Sequence, residues 1–205
     1  MSAPLLIVLS SPSGGGKTTI CDALLARDRR LSRSISATTR APRGRERQGR
    51  DYHFLSDKAF DRLVGSGQFL EWAHVHGHRY GTLKSEVRTK HARRKDVVMV
   101  IDVQGGLAVK RNFPEAVLIF IQPPSVLELS RRLKSRGTDG PATIRKRLEH
   151  ARWEMAFAGQ YDYMVVNRTL ETAIDQVGAI LTAERLKVKK NTGAQHAAPL
   201  KKTTK

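Results

Sequence analysis

The apolar run Leu5–Leu9 leads straight into Ser11-Pro12-Ser13-Gly14-Gly15-Gly16-Lys17-Thr18, and Thr18–Arg27 then reads as a helix. A short, continuous apolar run suits a strand buried on both faces of a parallel sheet. Three consecutive glycines permit tight backbone turns, so that successive N–H groups can face one anion. The start of the following helix adds partial positive charge at the same point. Strand, glycine turn, Gly-Lys-Thr and helix together give the context of the Walker A phosphate loop. Lys17 is expected to reach the β- and γ-phosphates of ATP, and the Thr18 hydroxyl to bind Mg²⁺. Residues 11–18, from Ser11 and Pro12 through Ser13, Gly14, Gly15 and Gly16 to Lys17 and Thr18, form the expected nucleotide cradle. The motif departs from its consensus at the first position, where Ser11 replaces glycine.

Three further apolar runs read as buried strands: Val97–Ile101, Val117–Ile121 and Tyr163–Val166. Helical patterns occupy Thr18–Arg27, Val126–Ser135, Ala142–Ala158 and Leu170–Lys190. Alternating strands and helices imply an α/β fold, with a parallel sheet flanked by helices. Ser36–Thr82 is polar, rich in Arg and Gly, and reads as an inserted lobe with antiparallel strand. Arg131–Arg152 is basic and broken at Gly137…Gly140-Pro141, the pattern of a hinged helical lid. The expected division is one domain over 1–190: a core of 1–34, 83–129 and 153–190, an inserted lobe over 35–82 and a lid over 130–152. Residues 191–205 are lysine-rich and poor in apolar residues, and are expected to form a disordered basic tail.

Composition narrows the class. Hydrophobic residues make up 40% of the chain, enough for a core. No apolar run approaches the roughly 18 residues that a membrane span needs. Leu5–Leu9 has no basic segment before it and does not read as a secretory signal. Cys21, the one cysteine, excludes an internal disulfide and fits a reducing cytoplasm. The 37 basic and 19 acidic residues leave a net charge of +18. Such a balance fits phosphate-binding arginines on a solvated surface, and it also admits non-specific contact with nucleic acid.

A second basic cluster, Ser36-Ala37-Thr38-Thr39-Arg40-Ala41-Pro42-Arg43, is followed by Glu46, Gly49, Asp51 and Tyr52. Two arginines three apart can grip one phosphate, with a tyrosine hydroxyl as a further donor. Then come Phe69-Leu70-Glu71-Trp72, Tyr80-Gly81-Thr82, Asp102-Val103-Gln104-Gly105, Pro123-Pro124-Ser125, Arg132, Arg136-Gly137, Arg147-Leu148, Tyr161-Asp162-Tyr163 and Asn167. In this order, from about Leu6 to Leu186, the set resembles the guanylate kinases.

The resemblance implies ATP-dependent phosphorylation of GMP, and of dGMP, with Mg²⁺ as cofactor and no membrane. It leaves open a monomer or a homo-oligomer. By the same resemblance Ser36, Glu71 and Thr82 would read guanine, with Asp102 beside the acceptor and the metal's water shell. Arg40, Arg43, Tyr52 and Tyr80 would hold the GMP phosphate. Lys17, Arg132, Arg136 and Arg147 would act on the transferring group, and Asn167 would lie at the ATP site. Glu71 makes chemical sense, because a carboxylate can accept guanine N1–H and N2–H₂ together. The chain departs from many relatives at Val100, where an acidic residue is common. It departs again in a lid without the usual acidic run, and in Arg168-Thr169 after Asn167.

Four other features draw the eye. His74, His76 and His78 alternate, but the set lacks further ligands, so scaffold is the better reading. Cys21 is expected in the core. Trp72 and Trp153 are expected to pack rather than to act as stacking platforms. Gly105-Gly106 is expected to serve a tight strand-to-helix turn.

Overall fold

The computed structural model describes residues 3–75, 77–135, 137 and 140–188. His76, Arg136, Thr138, Asp139 and the expected tail 191–205 lie outside the described residues. Five parallel strands form the main sheet: β1 (Leu6–Ser10), β2 (Leu31–Arg33), β7 (Asp96–Val100), β8 (Val117–Gln122) and β9 (Tyr163–Val166). Their order across the sheet is β2-β7-β1-β8-β9. A second sheet, ordered β4-β3-β6-β5, is built from β3 (Ala37–Thr38), β4 (His53–Phe54), β5 (Phe69–Val75) and β6 (His78–Leu83). The first of these sheets is the parallel α/β core that the apolar runs imply; the second spans Ala37–Leu83, one residue past the expected Thr82, and adds the parallel pair β3–β4 to its antiparallel pairs.

The period-two geometry of a strand sorts the core of the main sheet. Ile7 and Leu9 point to one face, where they pack with Ile20, Cys21 and Leu24 of α1 (Lys17–Arg27) and with Ile174, Val177 and Leu181 of α7 (Leu170–Leu186). Leu6 and Val8 point to the other face. There they meet Val87 of α3 (Lys84–Ala92), Val109 of α4 (Val103–Asn112) and Leu70 of β5. Leu70 thus plugs the second sheet into the core of the first. A helix pair, α5 (Val126–Ser135) and α6 (Pro141–Met155), has its own cluster of Leu129, Leu133, Ile144 and Ala151. Among the described residues, no helix is long and apolar enough to cross a membrane.

Some details differ from the sequence reading. The short edge strand β2 and the helices α2 (Asp57–Gly65), α3 and α4 were not expected; β2 is three residues long, and α3 and α4 carry weak apolar periodicity. The final helix stops at Leu186 rather than Lys190. Trp72 and Trp153 are 41% and 42% exposed. Each packs one ring face, edge-on to Phe60 and Phe157 respectively, and presents the rest to solvent. Cys21 is fully buried, and burial pushes its thiol up to about 11, so it stays a protonated core residue.

One ion network ties the chain's two ends together. Arg185, near the end of α7, donates Nε to Asp96 Oδ2 at 2.8 Å, and its Nη2 stands 2.7 Å from both Asp28 and Asp96. Asp96 is 1% exposed, and its other oxygen accepts the Leu5 N–H at 2.8 Å. Removing the cation would leave a buried charge uncompensated, a change that costs about 3–5 kcal/mol. Arg185→Ala is therefore expected to lose about 3 kcal/mol or more in urea unfolding at neutral pH. A loss below about 1 kcal/mol, the range of an exposed pair, would show that the network is solvated.

Candidate active site

β1 ends at Ser10, and the loop over 11–16 turns the chain into α1. Gly14 and Gly16 have φ of 92° and 100°, a region that L side chains rarely adopt. A Cβ on Gly15 would lie 2.8 Å from Ser11 Oγ, and one on Gly16 would lie 2.5 Å from Asn167 Nδ2. Each glycine is thus required by backbone angle or by space. Ser11, the departure from consensus, is fully buried and bonds Pro12 O at 3.0 Å, so it braces the loop from below. The first turn of α1 has no side-chain cap. Its N–H groups and macrodipole therefore point into the loop, an arrangement suited to phosphate. Lys17 Nζ reaches back to Ser11 O at 3.3 Å, and the Thr18 side chain is exposed beside it.

Asn167, at the end of β9, donates Nδ2 to Gly15 O at 2.9 Å. Arg132 on α5 donates Nη2 to Asn167 O at 3.0 Å and Nε to Glu128 at 3.1 Å. The expected residues Lys17, Thr18, Asn167 and Arg132 are therefore brought together around the loop. Arg147 is half-buried on α6, and Arg136 lies outside the described residues.

The expected base-reading residues form one row across the second sheet. Glu71 of β5 pairs with Thr82 of β6, and Ala37 of β3 pairs with Gly81. Extended by one residue, the antiparallel register sets Ser36 opposite Thr82. A bulge between Phe69 and Glu71 lets three consecutive side chains, Phe69, Leu70 and Glu71, be buried. Glu71 is 6% exposed, and neither its Oε1 nor Thr82 Oγ1 makes a hydrogen bond of good geometry among the described residues. Burial pushes the Glu71 carboxyl up to about 7; the Asp102 charge adds to this, and the nearby Thr82 hydroxyl and amide oppose it. A buried, unsatisfied acceptor of this kind is costly unless a ligand supplies donors.

Asp102 caps α4, accepting the Gly105 N–H at 2.9 Å through Oδ1. A Cβ on Gly105 would lie 2.9 Å from Glu71 Oε2 and 3.3 Å from Asp102 Oδ1. A Cβ on Gly106 would lie 2.5 Å from Tyr161 Oη. Both glycines sit within α4 and neither has positive φ, so the expected tight turn is corrected to a need for space. Val100 packs against the apolar core.

The third group lies around β3. Arg40, 5% exposed, donates Nε to Tyr80 Oη at 3.1 Å, Nη1 to Ala41 O at 2.7 Å, and both terminal nitrogens to Glu46 at 2.9 Å. Four of its five N–H groups are thus committed. The bonds from Arg40 hold the Glu46 carboxyl below the usual range. Tyr52 stands edge-on to Tyr80 at 6.0 Å, and Arg43 is exposed close by in sequence.

Sequence reasoning missed the buried Glu154 and gave no role to the half-buried Tyr161 near these groups. Glu154, in the last turn of α6, is 4% exposed, with His150 Nδ1 3.3 Å from its Oε2. Burial raises its carboxyl, with the Lys17 and His150 charges opposing and Asp102 adding. Tyr161 is held in a similar way: burial raises its phenol, and its hydroxyl faces Gly106 and Ser10. The available signal was a Glu on the inner face of a helix otherwise lined by Ile144 and Ala151. Among the described residues, no group of three or more His, Cys, Asp or Glu could hold a metal; His76, the middle of the alternating histidines, lies outside them.

Comparison with known proteins gives one family. The guanylate kinase family model matches residues 4–184. A guanylate kinase of Polaromonas sp. is 47% identical over 182 residues, covering 89% of this chain and 88% of the relative. One of Thermotoga maritima is 46% identical over 186 residues, covering 91% and 90%. The crystal structure of guanylate kinase from Anaplasma phagocytophilum superposes with a TM-score of 0.75 at 34% identity, covering 91% of this chain and 89% of that one.

The Glu71 geometry has a consequence for the ligand-free protein. Its carboxyl titrates near 7 when folded, against an ordinary 4.5. Between these values the folded chain holds a proton that the unfolded chain has released, so stability falls as pH rises through the window. Glu71→Gln removes that titration. The variant should gain stability relative to wild type between pH 5 and 8, by up to about 3 kcal/mol. Urea unfolding at the two pH values measures it; an identical stability difference at both would mean that the carboxyl is solvated.

Proposed function

The chain belongs to the guanylate kinase family, and from that membership we propose that it transfers the γ-phosphoryl group of ATP to GMP, giving ADP and GDP. The observation that carries the reading is the buried row of Glu71, Thr82 and Ser36, in which a carboxylate oxygen has no donor. Guanine presents N1–H and N2–H₂ side by side, and an ionised Glu71 accepts both. Adenine offers no such pair and would leave the carboxylate unsatisfied, which is the strongest form of discrimination a pocket can make. dGMP has the same base and phosphate and is read by the same groups.

Each group then takes a role. The loop over 11–18 and the start of α1 hold the ATP phosphates, with Asn167 fixing the loop. Arg43, Tyr52 and Tyr80 bind the GMP phosphate. Arg40 adds its one uncommitted N–H and orients the Tyr80 hydroxyl. Lys17, Arg132, Arg136 and Arg147 place positive charge where the transition state spreads negative charge. The GMP phosphate is already an anionic nucleophile, so no general base is required. The exposed Thr18 hydroxyl is a hard oxygen donor suited to Mg²⁺, which keeps most of its ligands as water and nucleotide oxygens. When bound, the ion neutralises phosphate charge. The core, the lobe over 35–82 and the lid over 130–152 divide this work, and closing the lid excludes water that would otherwise hydrolyse ATP. A cytoplasmic setting fits the single buried thiol.

A coupled ADP-release assay across GMP, dGMP, AMP, CMP and UMP tests the assignment, with GMP and dGMP the expected substrates. Lys17→Ala should remain folded and lose at least about 10²-fold in kcat, as loss of a transition-state cation does. Near-normal turnover from the folded variant would remove Lys17 from the reaction.

Gly105→Ala isolates the base pocket. The added methyl meets Glu71 Oε2 and must displace it. Displacing a positioning group by a fraction of an ångström should raise the GMP KM by about tenfold or more while the ATP KM stays near normal. Equal changes in both constants would place the defect elsewhere than in base recognition.

A further inference from the structure

The functional groups emerge at the carboxyl ends of the parallel strands, and the amino ends carry a different cluster. Arg29-Arg30 precedes β2, and Arg93-Arg94-Lys95 precedes β7. These strands are neighbours, paired from Leu31 and Asp96 onward, so the two loops lie side by side. Lys95 Nζ donates to the Arg29 carbonyl, and the Asp96 N–H donates to the Arg30 carbonyl at 2.9 Å. Arg29, Arg30, Arg93 and Arg94 are all exposed, and none makes an ion pair among the described residues. Asp28 and Asp96 share the single cation Arg185, so one of their charges offsets the cluster in part, and the five cations Arg29, Arg30, Arg93, Arg94 and Lys95 still leave the edge positive. Arg88 and His91 of α3 line a cavity at the same end together with Leu5, Lys187 and Val188 and the acids Glu115 and Glu184, the second of which pairs with Lys187. The chain passes Val188 there into residues 189–205, which hold five lysines and no acid.

We propose that this basic edge, opposite the nucleotide cleft, is a binding surface for the phosphodiester backbone of a nucleic acid. Guanidinium groups suit phosphate, since each can donate two parallel N–H bonds to one anion. Several cations held on two rigidly paired loops neutralise adjacent phosphates and release counterions, the main source of sequence-independent affinity. Residues 28–30 and 92–95 include no aromatic or large aliphatic side chain, which surface insertion into a lipid bilayer requires. Exposed Leu186 and Val188, at the end of α7, make an anionic membrane the competing outcome. The edge lies apart from the base-reading row and the phosphate loop, so it should be occupied while the enzyme turns over.

The test uses the full chain with labelled polyuridylate and oligothymidylate, read by fluorescence anisotropy from about 50 to 200 mM salt. The variant combines Arg29→Ala, Arg30→Ala, Arg93→Ala and Arg94→Gly. Glycine is chosen at 94 because Arg94 has φ of 53°. Wild type should bind with a steep salt dependence, and the variant at least about tenfold more weakly at low salt. The slope of log affinity against log salt should fall by about 0.7 for each lost phosphate contact. GMP phosphorylation should be unchanged in the variant, which also verifies its fold. If the fourfold variant is inactive, Arg93→Glu alone carries the test, with an expected loss of at least about threefold. Equal binding of the two polymers assigns the contact to the phosphodiester, and tighter polyuridylate binding adds the 2′-hydroxyl. Undiminished binding by the variant overturns the proposal. So does displacement of the polymer by saturating ATP and GMP, or tighter binding to phosphatidylserine vesicles than to polyuridylate at about 0.15 M salt.

Discussion

Parallel pairing of β7, β1, β8 and β9 is the constraint from which the site follows. The register sets Leu9 beside Val100, Ser10 beside Phe120, and Gln122 beside Val166, so the strands stop at nearly one level. Whatever follows each strand then emerges within a few residues of its neighbours: Ser11 after β1, Asp102 after β7 and Asn167 after β9. Antiparallel strands would send alternate connections to opposite edges and could not gather these groups. The gathered groups then tie the edge together. Asn167 holds Gly15, Arg132 holds Asn167, and the Ser10 hydroxyl bonds the Asp102 carbonyl at 3.2 Å. The ligand crevice of an open α/β sheet lies at this edge for the same reason.

The proposed base-reading row is set across a seam rather than within one unit. Glu71 belongs to the second sheet, whereas Asp102 and Gly105 belong to α4 of the core. Leu70, next to Glu71, is anchored in the core of the main sheet, and Phe69 in the small core of Ala37 and Phe60. The bulge that permits both anchors also fixes the carboxylate between them. A buried carboxylate with one oxygen unpaired costs free energy in the ligand-free fold. That cost is what a guanine base can relieve and an adenine base cannot. Stability and specificity are therefore opposed at one atom pair, and the absence of a Cβ at Gly105 keeps the carboxylates close enough to act together.

Legibility in the sequence followed the physics of each element. The central strands β1, β7 and β8 are continuous apolar runs, and burial on both faces writes itself into composition. The phosphate loop was legible because its glycines, lysine and flanking elements all point one way. The edge strand β2 and the helices α3 and α4 were not. They are short or weakly periodic, and their helical or extended state is imposed by neighbours rather than by local pattern. Ser36, Glu71 and Thr82 could be named by resemblance, but their alignment in one row depends on register, which pattern alone does not reveal. The reason for Gly105 and Gly106 was misread because a glycine pair signals a turn as readily as a close approach. Glu154 was missed because a polar residue on an inner helix face looks like an exposed one until the fold closes over it.

Helix α5 shows how packing and chemistry can share one turn of helix. Leu129 and Leu133 are four apart and point the same way, toward Ile144 and Ala151 of α6. A Cβ on Gly14 would lie 3.0 Å from Leu129 Cδ1 and 3.1 Å from Leu133 Cδ2, so the same two leucines also rest on the phosphate loop. Arg132 lies between them in sequence and turns its guanidinium to the Asn167 carbonyl and to Glu128. A shift or rotation of α5 must therefore move the leucines over the loop and the cation beside it together.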